Sequence, residues 1–513
     1  MSLSQGSINR RQVLLGAGAV GAGVAIGLNA APAVARAPRF AHPGLLHTSE
    51  DFDRIRAKLA AGDAVVTAGW ARLAGNGRSQ SSWKPRPLST VVRGGTGQNY
   101  PQFYLDVHAA YQNALRWRIA GDTAHGDTAR DIFNIWSQSL TTVTGNADRF
   151  LAAGIYGYQF ANAAELMRGY DGFDLVRAQD LLMKVFYPLN DDFLRRHNGA
   201  CITNYWANWD LCTIASIMAI GILCDDRPLF DRAVDYLRTG AGNGAFRNAI
   251  PFVHGGELGQ WQESGRDQGH TVMGIGLMGT VCEMAWNQGV DLYGYDDNRF
   301  LKGAEYVARY NLGKDVPFTN YKWGHHTTCA PREQTTVSAA SRGQLRPVWE
   351  VVYNHYVQRR GLSAPNVTAM AARVRTEGGG GDYGPNSGGY DQLGFGTLLF
   401  TRDRTPAPAG TPAATRSPAA PASAHATSAG PSASAPIRSV LPTRPTGSAS
   451  GVAATGSEEF DLSGQPSGLE PGTGTIVGLA GATAVAATIG GALLLRLRYR
   501  RAADHRPPPN HRR

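Results

Sequence analysis

Cysteine and charge are both scarce in this 513-residue chain, which has five cysteines, no Cys-x-x-Cys pair, and only 18% Asp, Glu, Lys and Arg. So sparse and odd a set argues against a disulfide framework. Cys201, Cys212, Cys224, Cys282 and Cys329 read mostly as small buried residues inside helices, with at most one pair oxidised. An excess of either sign is missing from the middle of the chain. The formal charge of +10 sits at the ends: residues 1–36 carry +3, residues 496–513 carry +6, the tract 404–474 is balanced, and +1 is left for the central body. That distribution argues against a nucleic-acid partner. No Lys-Ser/Thr follows the glycine run Gly378–Gly381, so it is not a phosphate loop. No carboxylate stands at ligand spacing from His325-His326, so neither a metal nor a cofactor is expected, and that segment reads as a cleft-edge loop with His325 a binding candidate.

What is present divides into segments. Residues 1–35 place Arg10-Arg11 before a mildly apolar run and Ala33-Val34-Ala35, the pattern of a twin-arginine export signal. Thr475–Leu495 carries no charge, is long enough to cross a bilayer, and is followed by Arg496, Arg498, Arg500 and Arg501. This predicts one transmembrane helix with the basic tail 496–513 inside and everything before it outside. Between body and span, 404–474 is rich in Pro, Ala, Ser and Thr and nearly free of aromatics. Such a tract cannot bury enough surface to fold and is expected to be a disordered stalk.

The body, 38–403, is dominated by helical period. Helices are predicted at Tyr104–Ile119, Thr128–Leu140, Asp148–Met167, Asp174–Val185, Asn204–Leu223, Pro228–Leu237, His270–Trp286, Asn298–Tyr310 and Arg346–Tyr356, with a final strand at Gly394–Phe400. Leu211–Leu223 and Val272–Met284 are apolar on nearly every face, which implies burial on both sides and an inner layer of helices. The fold class expected is all-α, an incomplete (α/α) toroid or barrel.

Polar chemistry gathers where these two apolar helices begin. Asn204-Tyr205-Trp206-Ala207-Asn208-Trp209-Asp210 opens the first, and Gln260-Trp261-Gln262-Glu263-Ser264-Gly265-Arg266-Asp267-Gln268-Gly269-His270 opens the second. Indole floors with amides and a guanidinium suit a carbohydrate cleft, although each tryptophan alone is as readily core packing.

His42-Pro43-Gly44-Leu45-Leu46-His47, the Asn204-Tyr205-Trp206 helix, Arg266-Asp267-Gln268-Gly269-His270 and Gly289-Val290-Asp291-Leu292-Tyr293-Gly294 resemble the alginate lyase family over residues 42–400. The resemblance implies a helical toroid that cleaves a uronate polysaccharide by β-elimination. It departs from the family at one place: Ile202-Thr203-Asn204 precede Tyr205-Trp206, and the histidine usual there is absent.

Elimination from a 4-linked uronate needs the carboxylate neutralised, the C5 proton removed and the C4 oxygen protonated. Asn204, Asn208 and Arg266 suit the first task and His270 the second, as an imidazole that accepts a proton near neutral pH. Tyr205 and Tyr158 are the candidate acids. Gln98 and Asn99, beside the loop Arg93-Gly94-Gly95-Thr96-Gly97, together with Trp206, Trp261 and Glu263, complete the binding candidates. Two other readings use the same residues. A glycoside hydrolase would draw two carboxylates from Asp210, Glu263 and Asp267. A non-catalytic glycan binder would keep Trp206 and Trp261 without needing His270.

Overall fold

The computed structural model describes residues 39–324, 329–381, 383 and 388–406. Contacts divide the chain after Phe40, and the account below concerns residues from Ala41 onward. The expected signal, span and basic tail, nearly all of the stalk, and His325 lie outside the described residues. Among the described residues no helix is long and apolar enough to cross a membrane.

The body is mostly helical. In order it forms α1 (Ser49–Ala60), α2 (Ala64–Ala74), α3 (Tyr100–Ala120), α4 (Thr123–Ser139), α5 (Asp148–Leu166), α6 (Leu175–Leu181), α7 (Tyr187–Arg196), α8 (Ala207–Leu223), α9 (Arg227–Thr239), α10 (Phe246–Ala249), α11 (Gln268–Asn287), α12 (Tyr295–Asn311), α13 (Trp349–Tyr353), α14 (Pro365–Val374) and α15 (Gly396–Phe400). Three two-stranded sheets accompany them: β1 (Thr90–Val92) parallel to β2 (Thr142–Thr144), and the antiparallel pairs β3 (Phe252–His254) with β4 (Leu258–Gln260) and β5 (Tyr321–Trp323) with β6 (Arg332–Gln334).

Every one of the nine helices expected from periodicity falls on a helix. All 17 residues of α8 are buried, as are nearly all of α5 and α11, so these three run through the core with no solvent face. At about 1.5–3 kcal/mol per buried Leu, Ile or Met side chain, such helices supply much of the hydrophobic stabilisation. α3 packs on α5, α5 on α8, and α8 on α11, while α4 lies against α3 and α9 against α8. An inner row is thereby backed by helices such as α9 that bury one face only.

Three expectations need correction. Gly394–Phe400 is not a strand. Only Gly394 bridges, to Gly379, and Phe395, Leu398 and Leu399 then bury at helical spacing as α15 packs on α2 and α13. The helix expected from Asn204 begins only at Ala207 as α8, so Asn204 lies in the turn before it and the capping position belongs to Trp206. Asp174–Val185 is not one regular helix: α6 widens into a π turn, Leu182–Phe186, before α7, where Pro188 has no N–H to continue the ladder. One cysteine pair is joined, Cys201–Cys329, and it ties the lead-in of α8 to the β5–β6 connection.

Candidate active site

The lead-ins of α8 and α11 meet through a side-chain exchange. α8 has no capping side chain of its own. Instead Gln262 Oε1 accepts from Ala207 N at 3.0 Å and Glu263 Oε2 accepts from Asn208 N at 3.2 Å. Two orphan donors of α8 are thus satisfied by the segment that opens α11, and the helix N-terminus favours the Glu263 carboxylate. Burial acts the other way and, with Asp267 nearby, pushes the Glu263 pKa up to about 7 against Arg266 and Asn208 N.

Asp267 caps α11. Its carboxylate accepts from His270 N at 2.8 Å and pairs with His270 Nδ1 at 2.8 Å. An ionised carboxylate only accepts, so the imidazole proton resides on Nδ1 and Nε2 keeps its lone pair. Burial lowers the His270 pKa, Arg266 lowers it further, and Asp267 opposes them. Nε2 faces Arg266 Nη2 at 3.3 Å. Arg266 in turn donates through Nη1 to Glu263 Oε1 at 3.0 Å, and its Nε stands 3.4 Å from Asp267 Oδ2.

The Arg266 guanidinium lies over the Trp206 ring, 4.8 Å from its centroid, and Trp206 packs on Trp323 with centroids 4.8 Å apart. The Trp206 and Trp323 indole N–H groups and Asn208 Oδ1 are buried and have no hydrogen-bond partner among the described residues. Trp323 is held in place by β5, and the Cys201–Cys329 bond secures the connection that follows it. Arg346, which ion-pairs with Asp391 at 3.0 Å, adds to the positive potential felt by His270.

Of the residues singled out from sequence, His270, Arg266, Glu263, Trp206 and Asn208 come together, and Asn204 sits half-buried two residues before Trp206. Others do not join them. Trp261 has no exposed surface: it fills the space left by Gly274, where a Cβ would stand 2.5 Å from the indole, so it is core and not a sugar platform. Tyr205 packs on Phe193 and Trp209 while its hydroxyl accepts from Asn198. Tyr158 donates to the carbonyl of Asp391 from inside α5, and burial raises its pKa. Asn99 is absorbed by β1, accepting from Val92 N and donating to Thr90 O, and the Oε1 of exposed Gln98 accepts from Gly94 N. Glu263, although it belongs to the cluster, is fully buried, which makes it a clamp on Arg266 and α8 and not a sugar contact. Asp210 pairs with His197 and Gly244 N in the interior.

Sequence reasoning missed Trp323, Arg346 and Asp391. Trp323 lies only two positions before His325-His326, but no spacing rule ties it to Trp206. Among the described residues no cluster has the composition of a metal site.

Residues 88–317 match the family model described as Alginate lyase. The match runs from just before β1 to just beyond α12 and contains the whole Glu263–His270 segment. Solved structures similar to this chain include alginate lyase A1-III from Sphingomonas species A1, at 14% identity over 69% of this chain and 95% of that one, with a TM-score of 0.44. Another is an alginate lyase from Bacteroides ovatus, at 12% identity over 66% and 96%, with a TM-score of 0.47. No curated protein matches the sequence.

Proposed function

We propose that the chain is a polysaccharide lyase that cleaves a 1,4-linked uronate polysaccharide, alginate or a related uronan, by β-elimination. The observation that carries this reading is the lone pair of His270 Nε2, fixed by Asp267 on the other ring nitrogen and set 3.3 Å from the Arg266 guanidinium. A carboxylate entering beside Trp206 draws Arg266 Nη2 to itself, which neutralises the uronate and uncovers the base. The C5–H bond then breaks with its proton passing to Nε2, the C4=C5 double bond forms, and the C4–O bond breaks. The hydroxyls of the two tyrosine candidates are engaged elsewhere, Tyr158 with Asp391 O and Tyr205 with Asn198, and the imidazolium returns the proton to the departing C4 oxygen. The alginate lyase match over residues 88–317 supports the same reaction class.

The opposed pKa directions of Glu263 and Asp267 are those a hydrolase pair would have. Both carboxylates, however, are engaged by the one Arg266, and Glu263 is fully buried. Incubation with a panel of uronans decides among the readings. Ultraviolet absorbance of an unsaturated uronate marks a lyase, new reducing ends without absorbance a hydrolase, and retention on a glycan column with neither a binder.

From the sequence alone we further propose that the enzyme acts outside the cell membrane, exported through Arg10-Arg11 and held by 475–495. Lys-Lys in place of Arg10-Arg11 tests this, since a twin-arginine route would then leave the precursor in the cytoplasm.

A further inference from the structure

We infer that Gln268 is a positioning residue for the proposed base: it fastens the first turn of α11, which carries His270, between α12 and the strap 338–343. The inference rests on the elimination reading and deepens it. Gln268 is the first residue of α11 and is buried. Its backbone N, an orphan donor at the helix start, donates to Ala340 O at 2.8 Å. Its side-chain Nε2 donates to Ser264 O at 3.1 Å and to Ser338 O at 3.0 Å, and Oε1 accepts from Asn311 Nδ2 at 3.0 Å. Both amide protons and the amide oxygen are thus in use.

Stretches far apart in sequence converge on this one amide. Ser338 N donates to Ser264 O at 2.9 Å, which lays the strap along the turn that leads into α11. Asn311, the last residue of α12, is itself fixed: Nδ2 also donates to Val307 O at 2.9 Å, and Oδ1 accepts from Gly343 N at 2.8 Å. Each end of the strap is therefore tied, one to Gln268 and Ser264, the other to Asn311.

The site needs such an outside hold. Asp267 and His270 bond each other within the turn, which sets the tautomer and leaves open where the turn sits. Arg266 is anchored separately, by Glu263 and over Trp206. The 3.3 Å between Arg266 Nη2 and His270 Nε2 therefore depends on what grips the turn from other elements. Gln268 lies between the two residues in sequence and supplies that grip through Ala340, Ser338 and Asn311. A buried amide with its bonds made fixes orientation as well as position. Misplacing a reacting group by about 1 Å costs on the order of 100-fold in rate.

The test compares the full chain with Gln268→Met, Asn311→Ala and the double variant. Met keeps the length and nearly the volume of Gln without its hydrogen bonds, so Q268M separates orientation from packing. Expected for Q268M is a kcat for unsaturated product lowered about 10-fold or more with KM within about 3-fold, because Arg266 and Trp206 keep their own anchors. N311A should act in the same direction, and the double variant should be no worse than Q268M. A second readout needs no substrate: the rate at which diethyl pyrocarbonate modifies His270, followed across pH by peptide mass spectrometry. Burial and then Arg266 hold the His270 pKa below 6.5, Arg346 adds to the lowering, and Asp267 opposes it. A turn that drifts from Arg266 and admits water gives up part of the lowering, so the midpoint should move up toward 6.5 in Q268M. An unchanged midpoint, or an unchanged kcat in an active enzyme, overturns the inference. Should Q268M fail to fold, N311A is read by the same two measures. If wild type forms no unsaturated product, the elimination reading fails by itself, and Gln268 is then judged by the midpoint alone.

Discussion

The Asp267 carboxylate holds His270 twice, accepting from its backbone N–H and pairing with Nδ1, each at 2.8 Å. One side chain therefore starts α11 and sets the tautomer of the imidazole that α11 presents. The helix cap and the tautomer of the proposed base are two results of the same contact.

This contact yields a test that separates them. In Asp267→Asn the amide oxygen still caps the helix, because Asn is as good a cap as Asp. Its NH2 then donates to Nδ1, which moves the ring proton to Nε2 and removes the base. Turnover is expected to fall about 100-fold, with helical circular dichroism retained. Activity within a few-fold of wild type would show that Nε2 is not the base.

The pH profile follows from the direction of the His270 shift. Burial first, and Arg266 second, hold its pKa below the ordinary 6.5. The base is therefore neutral at pH 7, and kcat/KM should be flat there and fall as pH drops through a value under 6.5. Asp267 is the group that opposes the shift, so D267N should move any residual acid limb still lower. An acid limb above pH 7 would contradict the assignment.

Much of this arrangement was legible in the sequence, and the gaps have physical causes. The two all-apolar helices announced burial on both faces, and the polar segments before them marked the site. The sequence could not show that Gln262 and Glu263 cap a helix more than 50 residues away, since capping by a distant segment leaves no local spacing. It also could not separate Trp206 from Trp261. Both precede a buried helix, but only Trp206 lies beneath Arg266, while Trp261 is consumed by the gap at Gly274. Tyr205 misled for a related reason: in the turn before α8 its ring joins Phe193 while that of Trp206, the next residue, faces Arg266. The expected body boundary at 403 falls slightly short, because Arg404 donates to Gly361 O and Thr405 N to Gln358 O. Residues 39–406 are accordingly expected to fold alone, and an insoluble or non-helical product would place the boundary elsewhere.

Arg266 also has a structural duty, which changes what its removal should do. In Arg266→Ala the fully buried Glu263 loses the guanidinium on Oε1. The folded-state pKa of Glu263 is already raised to about 7, above its unfolded value, and should climb further without Arg266. A raised folded pKa stabilises below the unfolded value and loses that contribution as pH rises through the folded one. The variant should therefore be only mildly destabilised at pH 5 and by about 3 kcal/mol at pH 8. Thermal melts at the two pH values measure this, and Glu263→Gln added to R266A should restore much of the loss at pH 8. Turnover should fall about 100-fold at either pH, since the carboxylate is no longer neutralised. A stability loss independent of pH would mean that Glu263 is not the group left unpaired.

The disulfide gives the last prediction, because it separates binding from chemistry. Cys201 and Cys329 are 128 residues apart, and their bond ties the lead-in of α8, which carries Trp206, to the connection following Trp323. The chain-entropy estimate for so long a loop is about 5 kcal/mol, an upper figure because strain and residual structure reduce it. Cys329→Ala should therefore lower Tm. Its second effect is local: with β5–β6 no longer tied to residue 201, Trp323 leaves the Trp206 face more often, and the platform under the substrate loosens. The His270–Asp267–Arg266 contacts lie within one segment and do not depend on the disulfide. KM for the uronan should rise several-fold while kcat stays within about 3-fold, and reductant should reproduce the effect in wild type but not in C329A. A fall in kcat at unchanged KM would mean that the hairpin positions the reacting groups themselves, not the sugar beside them.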